Sequence, residues 1–312
     1  MPAILTHHLF GEDASGLLPS DLLQSQEELL SFLLGNQGTD LFWARFRCPP
    51  RDASACHTLA KRVHKGDAVE FFLALRDASL LLDDSDRGVG QAFLLGMGAH
   101  YLLDCMTHPL ILATVHQLQD ADPRLDDAGS ELHALVESEI DVWMLWQKRH
   151  ATVLEAPASR TLATTQRVSS IAGKIVSHAA LGTYGIRLGQ HEFAGALRDY
   201  RLFYQIVDSP SSSVRSALYS IEQIARNHRY SRLRAQRHAT TPTDDCPSAN
   251  LNHRVWHNPA TNEASVASFA DLFHDALLAW PVFSQRIAEG DERRLRAMTD
   301  GLNHYGEPAD RV

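Results

Sequence analysis

Ala92-Phe-Leu-Leu-Gly-Met-Gly-Ala-His100-Tyr-Leu-Leu-Asp104-Cys-Met-Thr-His108-Pro-Leu-Ile-Leu-Ala113 is the stretch whose reading decides the fold. It is an apolar run with three polar side chains set into it at four-residue intervals. A helix turns about 100° and rises about 1.5 Å per residue, so His100, Asp104 and His108 share one face. An ionised Asp buried without a partner is too costly to keep, so this helix demands cations, metals or donors opposite it. The run invites a membrane-spanning reading, but an Asp at the centre of a bilayer costs about 2.5–3.5 kcal/mol. A buried helix of a water-soluble fold is the expectation, over residues 87–118. It is expected to bend at Pro109, which lacks an amide donor and disfavours helical geometry at His108.

A second helix, predicted over 131–150, repeats the interval in His133-Ala-Leu-Val-Glu137-Ser-Glu-Ile-Asp141. Two helices thus present matching polar faces. Around them, apolar periodicity predicts helices over 20–34 with Ser20 as cap, 54–63, 67–82, 160–181, 191–208, 212–235, 268–290 and 291–302. The three stretches between 160 and 235 read as supporting helices. Gly35 and Gly38 permit a tight backbone path that would aim Asp40 inward from a loop. The segment 236–263 is far longer than the roughly 4–6 residues of an ordinary connection. It reads as a mobile insertion or a functional loop, and Trp256 with His253 and His257 favours packing near a site. With no internal repeat and no run of alternating strands, the fold class is all-α. The division expected is a metal-binding helical core over 1–235, the loop 236–263, and C-terminal helices over 264–312 packing on the same domain.

The chain has 312 residues, enough for a large core, with 29 Lys and Arg against 38 Asp and Glu. The resulting formal charge of −9 argues against a sequence-independent grip on nucleic-acid phosphates, while leaving room for a local basic patch. Four scattered cysteines without a Cys-x-x-Cys pair, and no signal-peptide pattern at the start, point to a reduced, cytoplasmic chain. The 17 His outnumber the five Trp and seven Tyr together, and it is their spacing that informs. Imidazole and carboxylate together suit Zn²⁺, and two such ions can lower the pKa of a water and clamp both oxygens of a displacement at phosphorus. The competing reading of each triplet is a set of core histidines paired with carboxylates. Two helices bearing the pattern, with Asp40 and His64 in addition, favour the metal.

Thr6-His-His-Leu-Phe-Gly11, Gly35-Asn-Gln-Gly-Thr-Asp40, the helix carrying His64, His100-Tyr-Leu-Leu-Asp-Cys-Met-Thr-His-Pro109 and His133-Ala-Leu-Val-Glu-Ser-Glu-Ile-Asp141, in this order, resemble the bacterial zinc-dependent phospholipase C family. The likeness spans the first half of the chain and is weaker around Asn252 to Leu272. More distantly the set is similar to trinuclear-zinc phospholipases and single-strand nucleases, which are all-α and hydrolyse phosphate esters. The resemblance implies a zinc-dependent phosphoric ester hydrolase with a helical core like theirs. It implies that His64, His100 and Asp104 hold one zinc, that Asp40, His108, His133 and Glu137 hold a second, and that Asp104 bridges to a third. In the secreted relatives the N-terminal amine and a nearby His complete that third site, and His7 is the candidate here, ahead of His8. This chain begins Met-Pro where those relatives begin with Trp, Thr39 stands where the family has Pro, and the Asp104 to His108 interval is two residues shorter.

In the resulting expectation zinc, as two or three ions, activates a water for attack on phosphorus, and Asp40 also orients or deprotonates that water. Asp141 is expected beside the ligands, orienting an imidazole. Trp43, Tyr101 and Trp256 read as packing residues, with the wall of a substrate cleft as the alternative. The substrate is a phosphate ester, lipid or soluble. Alternatives from other classes are a non-catalytic helical protein with a structural zinc cluster, and a di-iron or di-manganese oxidase. The last is disfavoured because the Glu-x-x-His spacing of those sites is absent.

Overall fold

The computed structural model describes residues 3–20, 22–210, 213–225 and 230–310, and among these the fold is mostly α. Its helices are α1 (Ile4–Ser15), α2 (Gln26–Gly35), α3 (Pro50–Lys65), α4 (Ala68–Leu80), α5 (Asp84–Ala121) and α6 (Gly129–Arg149). They continue as α7 (Gln166–Tyr184), α8 (His191–Val207), α9 (Ser213–Ala225), α10 (Arg232–Ala235), α11 (Phe269–Glu289) and α12 (Glu292–Thr299). The one sheet among the described residues is a minor antiparallel pair, β1 (Trp256–His257) and β2 (Ala264–Ser265), with Trp256 opposite Ser265. No described helix is long and apolar enough to cross a membrane.

Local signals explain most helix ends. Ser25 accepts the Glu28 amide while Glu28 reaches back to the Ser25 amide, a capping box that starts α2 later than a cap at Ser20 would. Asp67 caps α4 and Thr165 caps α7, each through a side-chain oxygen, and Gly185 ends α7 at φ +65°. α5 is a single helix of 38 residues that runs through Pro109, giving up one backbone bond there. The predicted helix over 212–235 resolves into α9 and the short α10.

The chain packs as two compact units. One comprises Phe10–Met106, Leu162–Tyr200 and Phe273–Val312. Its core is aromatic: Tyr101 lies between Phe72 and Phe283, Phe193 meets the edges of Phe42 and Phe93, and Trp280 donates to the Ala14 carbonyl. Within it α2 and α5 cross at backbone contact, because a Cβ on Gly35 would strike the Phe93 carbonyl and one on Gly96 the Phe32 carbonyl. That crossing brings the loop after α2 against the polar face of α5.

The other unit comprises Met1–Leu9, Thr107–Thr161 and Arg201–Leu272. Here α10 and the long segment after it are strapped to α6. Ser138 donates to the Ala235 carbonyl, Trp146 to Asp244, and Ser248 to Glu139. The indole of Trp256 is buried and bonded to the Ala267 carbonyl, so this residue closes the segment on itself.

Candidate metal centre

Two groups of side chains able to hold a metal ion stand out among the described residues, each inside one unit. The first is Asp40, His64, His100 and Asp104, all buried, each offering one donor atom within 4.8 Å of the others. His64 Nε2 is 2.9 Å from Asp40 Oδ1 and 4.0 Å from Asp104 Oδ2. His100 Nε2 is 3.3 Å from Asp40 Oδ2 and 3.2 Å from Asp104 Oδ2.

Each donor is delivered by a local device. His100 and Asp104 come from adjacent turns of α5, and His64 from the last turn of α3. Asp40 opens a 3-10 turn, Asp40–Ala44, entered through Gly38 at φ +61°. The turn is fastened at its far end by the buried Arg45, whose Nε donates to Glu192 and Nη1 to Asp199 at 2.7 Å each. A Cβ on Gly38 would collide with the His100 ring. Gly38→Ala should therefore both strain the left-handed backbone, at about 1–2 kcal/mol, and push His100 off the group. Gly185, at φ +65° with nothing within 4 Å of the place a methyl group would take, isolates the backbone cost. The expected result is comparable backbone strain in Gly38→Ala and Gly185→Ala but loss of bound metal only in Gly38→Ala, read by denaturant unfolding and metal analysis.

The protonation pattern fits a cation. His64 Nδ1 lies 2.7 Å from the Ala60 carbonyl, which can only accept, so Nδ1 carries a proton. With that nitrogen protonated, Nε2 of the neutral ring points a lone pair at the Asp40 carboxylate, and two acceptors at this distance call for a proton or a metal between them. In the metal-free chain the proton is favoured: burial opposes the charge on His64, but the Asp40 and Asp104 carboxylates raise its pKa above the ordinary value. Burial likewise opposes ionisation of Asp40, yet His64, by charge and hydrogen bond, and His100 hold its pKa below normal. Asp40 Oδ2 accepts no hydrogen bond. His304 closes the group from the C-terminal segment, its ring 4.8 Å from that of His64 and 5.5 Å from that of His100, and its amide donating to the His64 carbonyl. Sequence reading missed it, because a lone His in Leu302-Asn-His-Tyr has no periodic partner to mark it.

The second group is His108 of α5 with His133 and Glu137 of α6. His133 Nε2 is 3.0 Å and His108 Nε2 3.7 Å from Glu137 Oε1, with the imidazoles 5.3 Å apart. Glu137 and His108 are buried, and His133 keeps 18% of its side-chain surface exposed. Burial opposes the Glu137 charge, but the two histidines hold its pKa far below the carboxylate range. Glu137 Oε2 accepts no hydrogen bond.

The grouping differs from the expected one at Asp40, whose carboxylate joins His64 and His100. Asp141 differs more. It orients no ligand imidazole: Oδ2 accepts from the Leu5 amide and His238 Nε2, and Oδ1 from the Thr6 amide and hydroxyl. It therefore caps α1 from the side, satisfying amides that a helix start leaves without partners. His7 is buried on α1 and belongs to neither group; Met1 and Pro2, where a third site would begin, lie outside the described residues. Among the three aromatic residues, Tyr101 is a core residue whose hydroxyl donates to the Leu302 carbonyl, and Trp256 is tied into its own segment. Trp43 alone is half-buried, stacked on His57 with ring centres 6.2 Å apart. Comparison of the chain with protein-family models, with curated proteins and with solved structures finds no match.

Proposed function

We propose that the chain is a zinc-dependent hydrolase of phosphate esters, phospholipase C-like in its chemistry. The observation that carries this reading is the gathering of seven His, Asp and Glu donors into two groups, six of the seven side chains buried. Nitrogen and carboxylate oxygen donors in sets of four and three are those zinc takes, and a set of three leaves a coordination position open. Bound zinc lowers the pKa of water and neutralises charge on the oxygens of a phosphate ester.

The chain's own residues supply the rest. Asp40 is kept ionised, and its Oδ2, 3.3 Å from His100 Nε2 and without a hydrogen bond, would be the oxygen that takes a proton from an attacking water. His133, the partly exposed member of the second group, marks the side from which a substrate enters. The four cysteines are free thiols, and burial raises those of Cys56 and Cys246 to about 12, which keeps both unreactive.

A structural zinc cluster is the second reading, favoured by one feature: the first group is buried and already holds four donors, as a closed structural site does. Both readings are tested by metal analysis of protein purified without added ions, beside a panel of soluble phosphodiesters and lipid vesicles. Turnover that disappears with a chelator and returns with zinc supports the hydrolase. Tightly held zinc without turnover supports the structural site, and absence of both metal and turnover in fresh protein sinks either.

A further inference from the structure

One face of α7 looks onto an open cavity of about 480 Å³ instead of the core. Lys174, Ser177, His178 and Leu181 stand three and four residues apart, so the helix presents them on one side, and all four line the cavity. Leu81 and Leu82, where the chain leaves α4, line it as well. The end of α7 supplies the rest. Gly185 takes the left-handed region at φ +65° and the Ile186 amide bonds back to the Ala180 carbonyl, a turn after which Arg187 and Leu188 line the same cavity. All of these residues belong to one unit. The volume falls in the range of small-molecule sites, about 300–1,000 Å³.

The lining itself identifies the occupant. Lys174, His178 and Arg187 are exposed, and among the described residues no carboxylate or other partner engages their side chains. No Asp or Glu lines the cavity, in a chain of formal charge −9. The acids nearest in sequence are held elsewhere: Asp77 is 3.9 Å from Arg76, Asp84 2.9 Å from Arg87 and Glu192 2.7 Å from Arg45. Asp83 remains, outside the lining, as one charge against two permanent cations. Leu81 and Leu181, 73% and 53% exposed, give the cavity an apolar side that water meets. No aromatic ring lines it, so nothing there stacks a planar base. An inorganic anion would leave the leucines in water, and a cation or a neutral lipid would leave the charges unmatched. We propose that this cavity binds a small aliphatic amphiphile with an anionic head, the head against Lys174, His178 and Arg187 and the chain along Leu81, Leu82, Leu181 and Leu188.

Such binding is independent of the metal groups, none of whose residues lines the cavity. The test is isothermal titration calorimetry of the full chain with decanoate, decyl phosphate, decyltrimethylammonium and acetate, each below the concentration at which amphiphiles form micelles. Decanoate and decyl phosphate should bind one per chain, the tighter of the two naming the head. Decyltrimethylammonium, with the same chain and the opposite charge, and acetate, with the charge and no chain, should bind at least about ten-fold more weakly. The variant carrying Lys174→Gln and Arg187→Gln should weaken both anionic amphiphiles at least about ten-fold, as loss of two bonds to a charged group predicts, with unchanged circular dichroism because both positions are exposed. Arg51→Gln with Lys61→Gln, the same loss of charge at exposed positions of α3, should bind as wild type does. The proposal is overturned if wild type takes up neither anionic amphiphile, if decyltrimethylammonium or acetate binds as tightly as they do, or if the Lys174 and Arg187 variant binds as wild type does.

Discussion

On the proposed function, Asp104→Asn is expected to abolish metal binding at the first group, and with it any hydrolysis of phosphodiesters, while leaving the fold standing. Asn preserves the volume and one oxygen of the side chain but removes the charge. Asp104 Oδ2 lies 3.2 Å from His100 Nε2 and 4.0 Å from His64 Nε2, so its carboxylate contributes both a donor and half the negative charge of the set. Loss of even an outer partner of a ligand costs about 10–100-fold in affinity or activity, so loss of a ligand should exceed about 100-fold in kcat/KM.

Stability separates this from simple damage. Without metal, Asp104 repels the neighbouring Asp40, working against the ionised Asp40. Asp104→Asn removes that repulsion together with the attraction of Asp104 for protonated His64, so the metal-free variant should stay close in stability to metal-free wild type. Zinc at about 1,000 times its Kd would stabilise wild type by about 4 kcal/mol and the variant far less. Thermal unfolding with and without zinc reads the difference. Equal zinc-dependent rises in Tm for the two proteins would remove Asp104 from the ligand set.

The residues of the two candidate metal groups were legible in sequence because helices turn spacing into geometry. Four-residue intervals in α5 and α6 put His100 with Asp104 and His133 with Glu137 on single faces, and the structure brings each pair to within 3.2 Å. The assignment of Asp40 was not legible, since it comes from a turn whose direction depends on Gly38, on the Gly35–Gly96 crossing and on the Arg45 anchor to α8. His304 was hidden for the same reason: it reaches the group through a C-terminal segment with no period to read. The outward face of α9, where Ile221 and Ile224 are exposed, was hidden differently. Periodicity reveals an apolar face but not whether protein or solvent meets it, and only Tyr219 and Glu222 on the inner side settle that. Asp141 misled because its place in the His133 register was real while its partners, Leu5, Thr6 and His238, lie more than 90 residues away in sequence.

Those partners define the second large effect, expected for His238→Gln. His238 is buried between two carboxylates, Nδ1 2.9 Å from Asp208 Oδ2 and Nε2 3.0 Å from Asp141 Oδ2, with Tyr204 stacked on its ring at 5.3 Å. Both ring nitrogens face acceptors, so both carry protons and the ring is the cation that balances the pair. Burial favours loss of that charge, but Asp208 and the hydrogen bonds to Asp141 and Asp208 outweigh it and raise the pKa to about 10. A Gln side chain supplies at most one amide donor group and no charge. It would leave two carboxylates facing each other in the interior, a defect that costs about 3–5 kcal/mol. Because Asp141 also holds the Leu5 and Thr6 amides, the loss should be concentrated at the N-terminus, with α1 exchanging its amide hydrogens faster than α6 does. The sign of the pH effect follows from the raised pKa. The contribution of His238 is complete below its unfolded-state value near 6.5 and drains away as pH rises through about 10. Wild type should lose stability across that window, His238→Gln should lose less, and the difference between the two unfolding free energies should shrink toward high pH. A difference that stays constant from pH 6 to pH 10 would show that the ring is neutral and that Asp141 holds α1 without it.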